Sequence, residues 1–324
     1  MTTLEAIQTT IAPELEMLNR RIIGQLSTSN VLMNSVVTSQ LESKGKQIRP
    51  IIVMLCAKMF GAVNDNIISA AAAVELLHNA SLIHDDVVDQ AKTRRNRPTI
   101  NSIWDNHIAV LVGDFYVSSA MQQAISTGDI RIIDSLCHLG KLLSLGEIDQ
   151  IYNARYHTLT EESYYNIISY KTASLFVACA KMGCYGIGAD DDSTARLAEF
   201  AELLGRCFQI RDDIFDYFAD KDVGKPTCND LREGKITLPL LHVLLDESLD
   251  AHDEMLALSQ KELLDDDDIE RLVSFAVTNG GIDYAFAEMK RLRDRGAEIL
   301  ATFPASEASE TLMKIFDYII EREY

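Results

Sequence analysis

Positive charge is scarce in this chain: 30 Lys and Arg stand against 49 Asp and Glu, a formal net charge of −19 at pH 7. Such a surface repels nucleic acid and anionic membranes, so neither is expected as a partner. Proline is also rare, with six residues in 324, and glycine numbers only sixteen. With few alternating Val/Thr/aromatic stretches as well, sandwiches and barrels are excluded. The six cysteines, Cys56, Cys137, Cys179, Cys184, Cys207 and Cys228, include no CxxC spacing and sit mostly within apolar helical stretches. Buried reduced thiols are expected, not a disulfide frame or a zinc site. Long uninterrupted apolar runs are missing too. The opening MTTLEAIQTTIAPELEML carries acids where a secretory signal has a basic end, and the stretch from Ile51 to Val63 is short and contains Lys58. A cytoplasmic protein without stable membrane insertion is expected.

What is present is an apolar period of 3.6 residues, recurring along almost the whole chain. It predicts an all-α fold with helices near 3–25, 28–42, 48–60, 64–90, 100–125, 128–155, 160–183, 192–219, 235–247, 259–262, 266–280, 282–302 and 306–322. Breaks are predicted at Lys44-Gly45, Asn96-Arg97-Pro98, Gly188 to Asp192, Gly224-Lys225-Pro226 and Gly280-Gly281. No Ser/Gly/Pro-rich linker divides the sequence. One domain over 1–324, a helical bundle around a deep central cavity, is expected.

Acids fill about 15% of positions, so the pattern acid-acid-x-x-acid turns up about once by chance. Asp266-Asp267 with Glu270 reads as such a case, a helix N-terminus stabilised by its dipole. Asp85-Asp86 with Asp89, and Asp212-Asp213 with Asp216, are different. Each ends a long apolar helix, where unpaired carboxylates are expensive to desolvate. On the first helix Asp89, Asp85 or Asp86, Leu82, His78 and Glu75 share a stripe; on the second, Gln209, Asp212, Asp213, Asp216 and Asp220 do so. Two such stripes predict two walls of one cleft. Within each cluster the carboxylates one turn apart suit a hard cation. Mg²⁺ takes one or two carboxylates and completes its octahedron with water and phosphate oxygens, so the missing ligand is read as a diphosphate.

The few cations gather near these clusters: Lys92 to Arg97 after the first, Lys44 to Arg49 at a helix start, and Lys225 after the second, with Lys235 beyond. Lys171-Thr172 lies within an apolar stretch, where a lysine is either snorkelling or functional. Two basic sets beside two acidic clusters suggest two diphosphate ligands, one held through metal and one directly by Lys and Arg.

His84-Asp85-Asp86-Val87-Val88-Asp89 followed by Arg94-Arg95, and Gln209-Ile210-Arg211-Asp212-Asp213-Ile214-Phe215-Asp216 followed by Gly224-Lys225, resemble the two aspartate-rich motifs of the trans-isoprenyl diphosphate synthases. The resemblance runs from the Lys44 loop to Lys235. It implies an all-α fold, usually homodimeric, with Asp85, Asp86, Asp89, Asp212, Asp213 and Asp216 holding Mg²⁺, three ions per active site once substrate is bound. By the same resemblance Lys46, Arg49, His78 and Arg95 bind isopentenyl diphosphate, while Arg94, Lys171 and Lys225 hold the allylic diphosphate. Lys171, Thr172 and Gln209 are the expected catalytic residues with Asp85 and Asp212, and Phe208 matches a family position beside the reacting carbons. Lys235 is counted with the substrate-binding cations.

Product length would be set alongside the helix that carries Asp85. Ala80 stands five residues upstream, about 7.5 Å deeper, where short-chain members of the family usually carry an aromatic plug. Leu77 and the run Ala70 to Ala73 follow farther down, and Met121 is a candidate floor. The wording around His84–Asp89 and Val110–Phe115 is most similar to long-chain synthases of octaprenyl type. A short- or medium-chain synthase, a terpene cyclase and a noncatalytic subunit are the alternatives. Asp216 and the Lys46/Arg49/His78 set argue against the cyclase, and the six retained aspartates against the subunit.

Overall fold

The computed structural model of the chain describes residues 3–42, 45–94, 97–156, 160–218, 228–261 and 263–322. Among these the fold is all α. The strand content is one two-residue hairpin, Thr93–Arg94 against Arg97–Pro98, with Arg94 opposite Arg97. The chain forms two compact units: Met1–Lys141 with Leu175–Ala201 and Phe303–Ile315, and Leu142–Ser174 with Glu202–Thr302 and Phe316–Tyr324.

The first unit is organised on the Asp65–Val88 helix, whose start is capped by the Asn64 side chain accepting from the Ile67 N–H at 3.0 Å. Against it pack the helices Asn106–Ser126, Ile48–Lys58 and Ala12–Leu26. Ala70 to Ala73 and Ala80 are fully buried, and side chains this small let neighbouring helices approach closely. Gly183 serves the same end. A Cβ there would lie 2.3 Å from the Val53 carbonyl oxygen, so only glycine allows this approach. The Asp65–Val88 and Asn106–Ser126 helices are long and apolar enough to cross a membrane by length and composition. Both are packing elements of this unit.

The second unit centres on the short Leu238–Leu244 helix, packed by Gly281–Leu300, Asp266–Thr278, His252–Ser259 and Glu161–Ile168. Its core includes Leu240, Val243, Leu272 and Phe275. The Asp266–Thr278 helix begins as the acidic run predicts. Asp265 is its N-cap, closing a capping box with Asp268, and Lys261 pairs with Asp268 at 2.8 Å.

Several helix limits differ from those predicted. The 3–25 helix is two, Thr3–Thr9 and Ala12–Leu26, because Pro13 has no N–H to continue the ladder and must sit in a first turn. The 100–125 helix breaks at Trp104-Asp105, where the Asp105 side chain accepts from the Ile108 N–H and starts a new helix. The helix expected at 259–262 lies earlier, at His252–Ser259, behind Ala251 in a left-handed conformation. A short Asn229–Arg232 helix was not expected. The stretch 160–183 becomes Glu161–Ile168, a π-helical turn Ser169–Ala173, and Ser174–Ile187. All six cysteines are free; five are buried and Cys137 is exposed.

Candidate active site

The first aspartate cluster ends the Asp65–Val88 helix. Gln90, at φ 51°, adopts the left-handed conformation, its N–H bonds the Val87 carbonyl at 3.3 Å, and the Ala91 N–H bonds the Asp86 carbonyl at 2.9 Å. This is a Schellman cap closed by a residue other than glycine. It turns the chain back so that Arg94, on the hairpin, donates from Nε to Asp86 Oδ1 at 2.7 Å. Asn101 holds the same turn, donating to the Asp86 and Ala91 carbonyls at 3.1 Å each. Asp86 is buried, and burial raises its carboxyl pKa while the Arg94 contact opposes this. Asp85 is half-buried and Asp89 exposed. A helix C-terminus carries partial negative charge, so three carboxylates here are unfavourable without cations, the reverse of Asp265–Asp268.

The family-assigned cations of this unit come from the Lys46–Arg49 stretch, the Asp65–Val88 helix and the hairpin. Lys46 is exposed just before the Ile48–Lys58 helix, and Arg49 is half-buried with its guanidinium 5.6 Å from the Phe176 ring centroid. His78 is half-buried on the helix of the first cluster, and Leu77 and Ala80 are buried. Met121, the candidate floor, lies 46% exposed on the Asn106–Ser126 helix, whose buried face is formed by residues such as Tyr116, Ala120 and Ala124. Arg95 and Lys225 lie outside the described residues, as do Lys44, Asn96 and Asp220.

In the second unit the π-helical turn carries Lys171 and Thr172. Lys171 Nζ donates to Gln150 Oε1 and pairs with Glu147 Oε2, both at 2.6 Å. The turn rests on Gly146, where a Cβ would lie 2.6 Å from the Lys171 backbone nitrogen. A chain of hydrogen bonds follows: Thr172 Oγ donates to Gln209 Oε1 at 2.7 Å, Gln209 Nε2 to Asp213 Oδ1 at 2.8 Å, and the Tyr164 hydroxyl to Asp213 Oδ2 at 2.6 Å. Asp213 is 3% exposed. Its carboxyl is pushed up to about 8, by burial first and then by the charge of Asp230, against the opposing bonds from Tyr164 and Gln209.

Asp216 ends the Asp191–Asp216 helix and accepts from the backbone N–H groups of Asn229 at 3.1 Å and Asp230 at 3.0 Å. Asp212 pairs with Arg322, whose guanidinium stacks over Phe208 at 4.3 Å and lies 5.4 Å from Phe215. Lys171, Thr172, Gln209, Asp213 and Lys235 line one cavity of about 140 Å³. Tyr164, Gln150 and Asp230 line it too; these three, with Glu147 and Arg322, carry no motif in the sequence that marks them as site residues. The spacing of Gln150 and Glu147 on one helix was the available signal for those two.

Among the described residues no three His, Cys, Asp or Glu side chains converge as a cage for a single metal ion. The fit to a divalent cation therefore rests on carboxylate pairs. Asp85 with Asp89 reach the surface one turn apart, and Asp212, 40% exposed, is one turn from Asp216. Such pairs suit Mg²⁺ that takes its other ligands from water and phosphate. Asp86 and Asp213 are engaged by protein donors.

The sequence model of the family described as Polyprenyl synthetase matches residues 30–276. This chain belongs to the polyprenyl synthetase family. It is similar to the octaprenyl diphosphate synthase of Haemophilus influenzae, at 30% identity over 99% of this chain and 98% of the relative. Among solved structures it is similar to a decaprenyl diphosphate synthase from Rhodobacter capsulatus, with TM-score 0.90, 31% identity, and 99% and 100% of the two chains covered. A geranylgeranyl pyrophosphate synthase from Bacteroides thetaiotaomicron matches with TM-score 0.85, 35% identity and the same coverage. As a polyprenyl synthetase the protein is a transferase that makes trans-polyprenyl diphosphates from isoprenyl diphosphate substrates. Relatives with short and long products both match it well.

Proposed function

We propose that this polyprenyl synthetase condenses isopentenyl diphosphate with an allylic diphosphate, farnesyl diphosphate as starter, to give a long, octaprenyl-like all-trans polyprenyl diphosphate. The observation that carries the reading is Lys171 lining one cavity with the hydrogen-bonded pair Thr172 and Gln209. Asp85, Asp89, Asp212 and Asp216 are the residues that would hold Mg²⁺, which would neutralise the diphosphate as it leaves.

Lys171 supplies a positive charge whose position is fixed by Glu147 and Gln150. Thr172 donates its proton to Gln209, so the lone pairs of its oxygen remain for the cavity, where they favour an allylic cation. Apolar walls such as Ile167, Ile168 and Leu241 support exclusion of water from that cation. Lys46, Arg49 and His78 bind isopentenyl diphosphate, and Arg94 the allylic diphosphate. The released diphosphate takes the proton that ends each addition. Alanine at position 80, in place of an aromatic plug, supports a long product. A homodimer is the working assembly, and the exposed Leu111, Met121 and Ile125 on the Asn106–Ser126 helix support it.

The test is incubation of purified protein with Mg²⁺, labelled isopentenyl diphosphate and farnesyl diphosphate, followed by chromatography of the dephosphorylated products. A ladder ending near the octaprenyl alcohol is expected. A product stopping at the geranylgeranyl length overturns the long-chain reading. A cyclic hydrocarbon points to a cyclase, and absence of turnover to a noncatalytic subunit.

A further inference from the structure

We infer that Tyr164 is a positioning residue for prenyl transfer, acting through Asp213 to fix the Gln209 amide and the Thr172 hydroxyl. The inference rests on the prenyltransferase reading above. Its basis is a directional chain of hydrogen bonds. Asp213 is buried, and its two oxygens receive one donor each: Tyr164 at 2.6 Å on Oδ2 and Gln209 Nε2 at 2.8 Å on Oδ1. Both Asp213 oxygens accept, one from Tyr164 and one from Gln209, so the side of Gln209 facing it is the NH₂. Gln209 Oε1 then faces Thr172 at 2.7 Å and the threonine must donate. The direction of the Thr172 O–H, and with it the orientation of its lone pairs, is thereby set three side chains away.

Tyr164 is itself held in place. The Glu161–Ile168 helix is N-capped by Thr160, which accepts from the Ser163 N–H at 3.1 Å, and the Tyr164 ring is 7% exposed. Without its hydroxyl, one Asp213 oxygen loses its donor in a place where water is scarce. The carboxyl group can then rotate, and the Gln209 amide loses the fixed acceptor that sets its orientation. Asp213 in this reading anchors an amide, in a place distinct in exposure from Asp85, Asp89 and Asp212.

The test is Tyr164→Phe, which keeps the ring and removes one O–H. Turnover with farnesyl and isopentenyl diphosphates should fall about 10- to 100-fold, with both KM values within about threefold of wild type. Mn²⁺ binding to the substrate-free protein, followed by electron paramagnetic resonance, should be unchanged. Thr172→Val should cost much less in the Tyr164→Phe background than in wild type, because both substitutions break one relay. Unchanged turnover in Tyr164→Phe overturns the inference. So does a parallel loss of Mn²⁺ affinity, or full additivity with Thr172→Val. If Tyr164→Phe does not fold, Asp213→Asn must show the same pattern, including the nonadditivity, or the inference is lost. Wild-type protein without turnover would sink the prenyltransferase reading; active wild type with a fully active Tyr164→Phe sinks only the positioning role.

Discussion

Replacing Gly146 by alanine tests whether the π-helical turn under Lys171 is a fitted part of the catalytic site. The added Cβ would lie 2.6 Å from the Lys171 nitrogen, 3.0 Å from its Cα and 3.0 Å from the Tyr170 Cβ. Ordinary contact begins at 3.4 Å, so the closest pair must separate by about 0.8 Å, the difference between 3.4 and 2.6. The obstacle is backbone, and a rotamer change cannot relieve it. If Thr172 moves with the turn, its 2.7 Å bond to Gln209 stretches to the limit of hydrogen bonding. Displacement of a reacting group by about 1 Å can cost on the order of 100-fold in rate.

Two stability effects oppose each other in this variant. Alanine is favoured over glycine inside a helix by about 0.5–1 kcal/mol, whereas overpacking costs about 1–3 kcal/mol. A net loss of about 0–2.5 kcal/mol in urea unfolding and a 10- to 100-fold drop in kcat are expected. Gly140 on the same helix is the matched control, since a Cβ there meets nothing within 4 Å. Gly140→Ala should be neutral or gain about 0.5–1 kcal/mol with wild-type kcat. If Gly146→Ala behaves like Gly140→Ala, the close fit of this turn has no catalytic meaning.

Ala80→Phe should shorten the product towards the geranylgeranyl or farnesyl length while leaving turnover of the first addition measurable, as read by chromatography of the alcohols; an unchanged ladder removes Ala80 from length control. Arg322→Ala removes the ion pair with Asp212 and the stacking over Phe208, in a side chain that is 10% exposed, and should cost about 1–3 kcal/mol in urea unfolding. Arg322→Lys should recover only part of this loss, because an ammonium lacks the planar face that stacks; full recovery would show that charge alone matters.

The all-α class and the N-terminal role of Asp266 and Asp267 were legible because apolar period and helix dipole are local physics. The division of labour within each aspartate cluster was not. Helical spacing puts both Asp85 and Asp86 within a turn of Asp89, and both Asp212 and Asp213 within a turn of Asp216, and cannot say which of each pair is buried; that depends on Arg94 returning along the hairpin and on Tyr164 arriving from another helix. The π-helical turn was hidden for a similar reason, since nothing in Ser169-Tyr170-Lys171-Thr172-Ala173 announces an i+5 bond. Tertiary contact at Gly146 accompanies it. Arg322 is not legible as a site residue because its role depends on tertiary contacts: its side chain is 10% exposed, against the Phe208 and Phe215 rings and paired with Asp212.

The charge problem raised by a net −19 also takes a sharper form. Of the cations near the two clusters, Arg94 is already paired with Asp86, Lys171 with Glu147, Lys235 with Glu233 and Arg322 with Asp212. A diphosphate entering either unit would have to draw these groups away from acids that hold them in partly buried surroundings, where separating a pair leaves a poorly solvated charge. An anion that arrives with its own divalent countercharge avoids most of that cost, and in the one unit Asp85 and Asp89, in the other Asp212 and Asp216, become ligands where they would otherwise repel it. On the proposed function, the acidic clusters at helix C-termini and the committed lysines and arginines both favour an allylic diphosphate bound as its metal complex over the bare anion.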